Sequence, residues 1–111
     1  MKLLTKEIQE RAEKQYEKNS DMDTQDVVAK FFNPVGSWTW YLMNKEPESS
    51  YCWGIVDGFA LEVGSFDIKE LQEIELSFGL GIERDTSFTP MNAGKLYKSL
   101  VAKTKRGKKW K

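Results

Sequence analysis

Four short strand-like runs between residues 27 and 66 constrain the fold more than any other feature of the sequence. They are Val27 to Phe32, Trp38 to Met43, Tyr51 to Val56, and Phe59 or Ala60 to Phe66. The turn sequence Asn33-Pro34-Val35-Gly36 separates the first run from the second, and Asp57-Gly58 separates the third from the fourth. Gly58 suits a hairpin because glycine adopts positive φ easily. Connections this short join antiparallel neighbours. The pattern therefore predicts a four-stranded antiparallel meander.

Three helices are predicted around these strands. Thr5 can cap an N-terminal helix whose apolar residues recur every four positions, and Asp67 can cap a central helix that a glycine, Gly79 or Gly81, would end. Asn92 can cap a C-terminal helix. We expect an α+β fold in which the N-terminal, central and C-terminal helices pack on one face of the sheet. At 111 residues, the chain is predicted to form one domain over residues 1–104, with a flexible basic tail at 105–111.

The stretch "SWTWYL", residues 37–42, places three large aromatic rings on one predicted strand. Since alternate side chains share a face, Trp38 and Trp40 point one way and Tyr41 the other. One interpretation makes these rings part of the core beneath the helices. The other makes them a surface on which bases or a peptide could stack.

The sequence lacks the residue patterns of several common kinds of enzyme site. It contains no histidine, so histidine-based triads and imidazole metal sites are excluded. Cys52 is the single cysteine, which leaves no thiolate cluster and no internal disulfide. Gly79-Leu80-Gly81 lacks the lysine and third glycine of a phosphate loop. We expect a protein without metal or cofactor.

Carboxylates are the remaining candidates for catalysis or metal binding. Asp57, Glu62, Glu83 and Asp85 could approach one another, and two such acids can hydrolyse a bond or hold magnesium. In "IERD", residues 82–85, Arg84 stands between two acids, which indicates a local ion-pair cluster that fixes a loop. A carboxylate-dependent enzyme, with or without the assistance of a metal ion, is therefore the alternative to a binding protein.

The charges of this chain are separated along the sequence. Formal net charge is zero, with 17 basic and 17 acidic residues. Residues 95–111 hold eight basic and no acidic residue, which leaves a net charge of −8 on residues 1–94. The end of this segment predicts a nucleic-acid contact through Lys103, Lys105, Arg106, Lys108, Lys109, Trp110 and Lys111. Three interpretations compete with it: a solvated tail, an intramolecular partner for the acidic body, and a chance resemblance to a nuclear-targeting patch.

Four blocks of the chain resemble, in order, those of the domain-of-unknown-function family 2958. They are "LLTKEI" (3–8), "KFFNPVGSWTWY" (30–41), "WGIVDGFALEVGSF" (53–66) and "FGLGIERDTSFTP" (78–90). The resemblance covers most of residues 3–90 and leaves the basic tail outside it. It implies a small protein of bacterial plasmids, phages or conjugative elements, and no activity. The positions that match the motif blocks, without an assigned role, are Trp38, Trp40, Tyr41, Glu83, Arg84 and Asp85.

Together these observations favour a non-enzymatic accessory protein of a mobile element. Its partner would be nucleic acid or a basic nucleic-acid-binding protein, and a counter-defence role fits that setting. A homo-oligomer that uses exposed aromatic residues as its interface is a further interpretation. No apolar run approaches the roughly 18 residues of a membrane span, and the lone cysteine suits a reducing compartment. We therefore expect a cytoplasmic protein with no membrane partner.

Overall fold

A five-stranded antiparallel sheet forms the centre of the protein in a computed structural model, which describes residues 1–108, with side chains described up to Thr104. The strands are β1 (Asp26–Val27), β2 (Ala29–Phe32), β3 (Thr39–Lys45), β4 (Tyr51–Asp57), β5 (Leu61–Asp67), β6 (Glu83–Arg84) and β7 (Met91–Asn92). The α-helices are α1 (Lys6–Lys14), α2 (Ile68–Glu73) and α3 (Ala93–Lys108), and short 3₁₀ turns lie at Tyr16–Lys18 and Ser77–Gly79. The strand order in the large sheet is β5-β4-β3-β2-β6, and β1 pairs with β7 in a separate two-stranded sheet.

The predicted meander is confirmed and is extended by one strand. β2 to β5 follow one another as antiparallel neighbours. The first predicted run divides at Val28, because β1 pairs with β7 while β2 pairs with β3. The fifth strand is β6, which pairs Glu83 with Phe32 and Arg84 with Phe31. The "IERD" block is therefore partly a sheet edge and not only a loop.

Both faces of the sheet are covered, so the expectation that the helices pack on one face is wrong. Trp40 and Leu42 share a buried cluster with Ala12 of α1 and Leu71 of α2. On the other face, Tyr41, Met43 and Ile55 of the sheet form a second cluster with residues of α3. Successive residues of β3 alternate between the two clusters, as the strand pleat requires. Since Trp40 and Tyr41 are 8% and 7% exposed, these two rings are core and not a stacking surface.

The three predicted helix caps are present. Thr5 Oγ1 accepts a hydrogen bond from the amide of Ile8 at 3.1 Å, and Asp67 Oδ1 accepts from the amide of Lys69 at 2.8 Å. Asn92 Oδ1 accepts from the amide of Lys95 at 3.0 Å. Each side chain satisfies an amide that the first helical turn leaves without a backbone partner.

The central helix is shorter than predicted. It ends at Glu73, and Ile74 already has extended backbone angles. β5 and β6 lie at opposite edges of the sheet, so the chain must cross its full width between them. A helix advances only about 1.5 Å per residue, against about 3.3 Å for extended chain. Residues 74–82 therefore cross in a largely extended form, and Gly79 lies in a turn of that crossing instead of ending the helix.

Candidate functional site

An open groove of about 520 Å³ lies where β2, β3 and β6 meet. We call it the edge groove. Phe32 is paired with Thr39 on one side and Glu83 on the other, which brings the ends of three strands together. The residues that line the groove are Met1, Lys30, Phe32, Asn33, Gly36, Trp38, Thr39, Glu83, Arg84, Asp85 and Thr86. The "FFNPVGSWTWY" and "IERD" blocks, which lie more than forty residues apart in sequence, thus form one surface.

Four of the six motif positions line this groove. They are Trp38, Glu83, Arg84 and Asp85. Trp40 and Tyr41 do not, because both side chains are buried against the helices. Burial, together with the nearby carboxylates of Asp57 and Asp85, raises the pKa of the Tyr41 hydroxyl, which therefore stays protonated. The role of Trp40 and Tyr41 in the fold is packing.

Arg84 anchors the N-terminal segment. Its Nη1 donates to the carbonyl oxygens of Lys2 at 2.7 Å and Leu3 at 3.0 Å. Within residues 1–104, no carboxylate lies within ion-pair distance of its guanidinium. The prediction that Arg84 pairs with its neighbouring acids is therefore wrong. Its target is main chain more than eighty residues away, which sequence spacing does not reveal.

Asp85 is held by two contacts. Its Oδ1 accepts from the amide of Ser87 at 2.9 Å, which closes a tight turn, and its Oδ2 lies 3.8 Å from the ammonium of Lys30. The same ammonium lies 5.9 Å from the centroid of the Tyr41 ring, within the range of a cation–π contact. This carboxylate therefore fixes a loop, as the sequence predicts. Sequence reasoning missed Lys30, since a single lysine in a strand gives no signal.

The four candidate carboxylates do not form one site. Glu83 and Asp85 share the edge groove, whereas Asp57 lines a second cavity between the β4–β5 hairpin and α3. Glu62 lines neither of these two spaces. In the part of the chain that the structure describes, no three residues of the histidine, cysteine, aspartate or glutamate type are placed to hold a metal ion. The groove thus offers two carboxylates, one of them, Asp85, already engaged.

The basic segment begins on the outer face of α3. Lys95, Lys98 and Lys103 are exposed, while Leu96 and Leu100 pack in the cluster beneath the helix. The helical backbone continues to Lys108. The remaining predicted contact residues lie outside the described part: the side chains of Lys105, Arg106 and Lys108, and all of Lys109, Trp110 and Lys111. Lys103 is the predicted contact whose exposure the structure describes.

The second cavity, of about 400 Å³, includes residues that sequence reasoning missed. Phe59 at the hairpin tip is 97% exposed and forms one wall, and Tyr97 of α3 forms part of another. We call this space the hairpin cavity. The sequence does contain one signal that could have indicated this site. A phenylalanine follows Asp57-Gly58 directly, at a turn position where polar residues are usual.

Cys52 contributes no reactive group. The thiol is fully buried in the cluster beneath α1 and α2. Burial raises the pKa of this thiol to about 12, so the nucleophilic thiolate is not populated near neutral pH.

The fold and its surfaces define a small α+β protein with a closed core, a polar groove at one sheet edge and a basic helix. The chain belongs to the family described as "Protein of unknown function (DUF2958)", whose model matches residues 3–106. The match continues beyond residue 90, where the resemblance was expected to end, and includes most of α3 with Lys103, Lys105 and Arg106. No curated protein and no solved structure matches the chain. In the described residues, no helix is both long and apolar enough to cross a membrane.

Proposed function

We propose that this protein is a non-enzymatic accessory protein of a bacterial mobile element that contacts nucleic acid through its C-terminal helix and tail. The residues that would make this contact, called the basic surface below, are Lys95, Lys98 and Lys103 together with the basic residues from Lys105 to Lys111. The observation that carries the proposal is the separation of charge, with eight basic and no acidic residue after position 94. A cytoplasmic location and a counter-defence role belong to the same proposal.

The packing of α3 supports this assignment. Its apolar residues Leu96, Tyr97 and Leu100 pack on the sheet, so the exposed lysines Lys95, Lys98 and Lys103 are turned to solvent. Lysine ammonium groups presented this way attract phosphates and displace condensed counterions. Binding of this kind is insensitive to sequence and weakens steeply as salt rises.

The test is fluorescence anisotropy with labelled single-stranded DNA, duplex DNA and RNA over a series of salt concentrations. The tail variant replaces six residues by glutamine: Lys103, Lys105, Arg106, Lys108, Lys109 and Lys111. The matched control removes the same charge from six exposed basic residues of the body, namely Lys2, Lys6, Arg11, Lys14, Lys18 and Lys69. Both variants have the same net charge, so a difference between them reports position and not total charge.

We expect the tail variant to lose most of its binding and the body variant to keep it. Each phosphate contact removed should lower the slope of log affinity against log salt by about 0.9 on duplex DNA. Equal binding by the tail variant and the unchanged protein would contradict the proposal. Absence of binding by all three would instead favour the acidic body as the contact surface, with a basic nucleic-acid-binding protein as the partner.

One observation favours a second candidate function, a carboxylate-dependent enzyme. Glu83, Asp85 and the ammonium of Lys30 line the same open groove. Glu83 has no ion-pair partner within residues 1–104 and is the group available as a base or as a magnesium ligand. Its test is a thermal melt with magnesium and with manganese. A rise in the melting temperature that Glu83→Gln removes would support it, and an unchanged melting temperature would oppose it.

A further inference from the structure

The hairpin cavity combines features of a ligand site. Asp57, Gly58, Phe59, Ala60 and Leu61 supply one wall, and Tyr97, Val101 and Thr104 of α3 supply the other. Its volume of about 400 Å³ falls within the range of about 300–1,000 Å³ that small-molecule sites occupy. The three helix residues follow one another at spacings of four and three, so they lie along one face of α3.

Phe59 is not explained by the stability of the fold. Its side chain is 97% exposed, and its described ring contact is the edge-to-face pair with Trp38 at 5.1 Å between centroids. A phenylalanine at a hairpin tip buries almost no surface in this position, so folding gains little from it. Phe59 is among the residues that line the cavity, so its exposed ring is available to cover one face of a flat ligand.

The charge around the cavity differs between its two sides. Lys98 is exposed and lies one helical turn before Val101, so its side chain is long enough to reach the rim of the helix wall. Asp57 places a carboxylate on the hairpin wall. A ligand that fits this arrangement has a flat aromatic face, an anionic group on the side of α3 and hydrogen-bond donors toward Asp57.

A nucleotide within a single strand has the flat aromatic face, the anionic group and the hydrogen-bond donors. We propose that the hairpin cavity takes one unstacked base of single-stranded nucleic acid, which stacks on Phe59 while its phosphate lies near Lys98. The inference rests on the proposed nucleic-acid contact and adds a strand preference to it. A duplex does not serve, because both faces of each base are covered by neighbouring bases.

Asp57 adds a preference among bases. A carboxylate accepts a hydrogen bond from an exocyclic amino group, which cytosine carries and thymine lacks. Single strands of cytosine should therefore bind more tightly than single strands of thymine. Asp57→Asn, which can donate as well as accept, should reduce that difference.

The experiment measures anisotropy of labelled twelve-nucleotide strands of cytosine and of thymine, a single-stranded RNA and a duplex, all with the full chain. Phe59→Ala is compared with Phe78→Ala, which removes an equally exposed phenylalanine, 94% accessible, from a different loop. Loss of one stacked base weakens binding by about 1–3 kcal/mol, which converts to about 5- to 150-fold. We expect that loss with Phe59→Ala on single strands only, and none with Phe78→Ala.

The outcomes separate this inference from the proposal on which it rests. Suppose that the unchanged protein binds both single strands and duplex, that its affinity falls steeply with salt, and that Phe59→Ala changes neither affinity. In that case the base site is wrong, whereas the nucleic-acid contact through the basic surface is supported. An equal loss on duplex and single strands would also overturn the base site. If the unchanged protein binds no nucleic acid, both are overturned. Since Phe59 is exposed, its replacement should leave the melting temperature nearly unchanged, which separates a binding defect from unfolding.

Discussion

The indole of Trp38 lies directly against the backbone of Gly58. A Cβ added to Gly58 would come within 2.6 Å of two ring carbons, closer than real Cβ contacts allow. Gly58 does not have a positive φ, so the reason for glycine here is steric. The sequence predicts the hairpin at Asp57-Gly58 correctly but attributes it to positive φ, which is wrong. The contact also fixes the hairpin tip beside the edge groove, which Trp38 lines.

Gly58→Ala should therefore destabilise the fold. The new methyl group forces the Trp38 ring or the hairpin to move, and overpacking of this kind costs about 1–3 kcal/mol in the free energy of unfolding. The measurement is urea denaturation. Gly64→Ala is the matched control, because no heavy atom lies within 4 Å of its added Cβ, and its effect should stay within about 0.5 kcal/mol. Equal effects of the two substitutions would contradict the steric role of Gly58.

Arg84→Met should release the N-terminal segment from the sheet edge. The variant keeps the aliphatic stem but removes the donors to the carbonyls of Lys2 and Leu3. Hydrogen bonds from a charged group contribute about 1.5–3 kcal/mol, and partial exposure of Arg84 favours the lower end. Denaturation in urea measures the loss, and hydrogen exchange of the first residues of the chain should become faster.

Arg11→Met provides the comparison for Arg84→Met. Arg11 is exposed on α1, and its replacement should change the free energy of unfolding by no more than about 0.5 kcal/mol. Arg84→Lys should recover only part of the loss, because an ammonium lacks the forked donors of a guanidinium. Full stability of Arg84→Met would mean that the apolar residues of the N-terminal segment and its hydrogen bonds with Gln72 hold it without Arg84.

Local patterns were sufficient to predict most of the fold. Alternation and short turns predicted the order β2 to β5, and Thr5, Asp67 and Asn92 were identified as caps from the residues that follow them. These features depend on neighbours within a few residues, which is the range that sequence patterns report. The α+β class followed from the same information.

Contacts between distant segments could not be predicted in this way. Strand β6 is only two residues long, and it is a strand because it pairs with Phe31 and Phe32 of β2. The packing of α3 on the second face depends on contacts of Ala93 and Leu100 with strand residues about forty or more positions earlier in the chain, which leave no local signal. The edge groove and the hairpin cavity are products of those contacts. The residues that line these two spaces can be read from the sequence, but the sequence does not show that they lie close together in the fold.

The buried thiol of Cys52 predicts a pH dependence of stability. Burial raises its pKa in the folded state to about 12, whereas the unfolded thiol ionises with a pKa near 9. The folded state therefore favours the protonated thiol, and this contribution is fully present below about pH 9. It is lost as the pH rises from about 9 toward 12, by at most about 1.4 kcal/mol for each pH unit.

Comparison with Cys52→Ala isolates that contribution. The variant is less stable at neutral pH because it leaves a small cavity, but it has no thiol to ionise. The difference in the free energy of unfolding between the two proteins should therefore narrow as the pH rises above about 9. Urea denaturation at several pH values measures it. A constant difference would show that the thiol does not have the raised pKa, and rapid labelling of the folded protein by a thiol reagent would show the same.

Phe78 occupies a conformation that its side chain does not favour. Its φ of 64° and ψ of 26°, followed by a φ of 72° at Gly79, form a tight turn that the amide of Leu80 closes on the carbonyl of Ser77 at 3.3 Å. The left-handed region costs most residues about 1–2 kcal/mol, and asparagine tolerates it best after glycine. Because Phe78 is 94% exposed, packing of its ring offsets almost none of the cost of the left-handed conformation.

Phe78→Asn should consequently stabilise the protein, by about 1 kcal/mol. Phe59→Asn is the control, since Phe59 is equally exposed but does not have a positive φ, and it should give no gain. Thermal and urea denaturation of both variants measure the difference. If Phe78→Asn is stabilising and Phe59→Asn is not, the backbone strain at residue 78 is real and the phenylalanine lowers stability there. If neither is stabilising, the turn relaxes in solution and Phe78 does not hold the left-handed conformation.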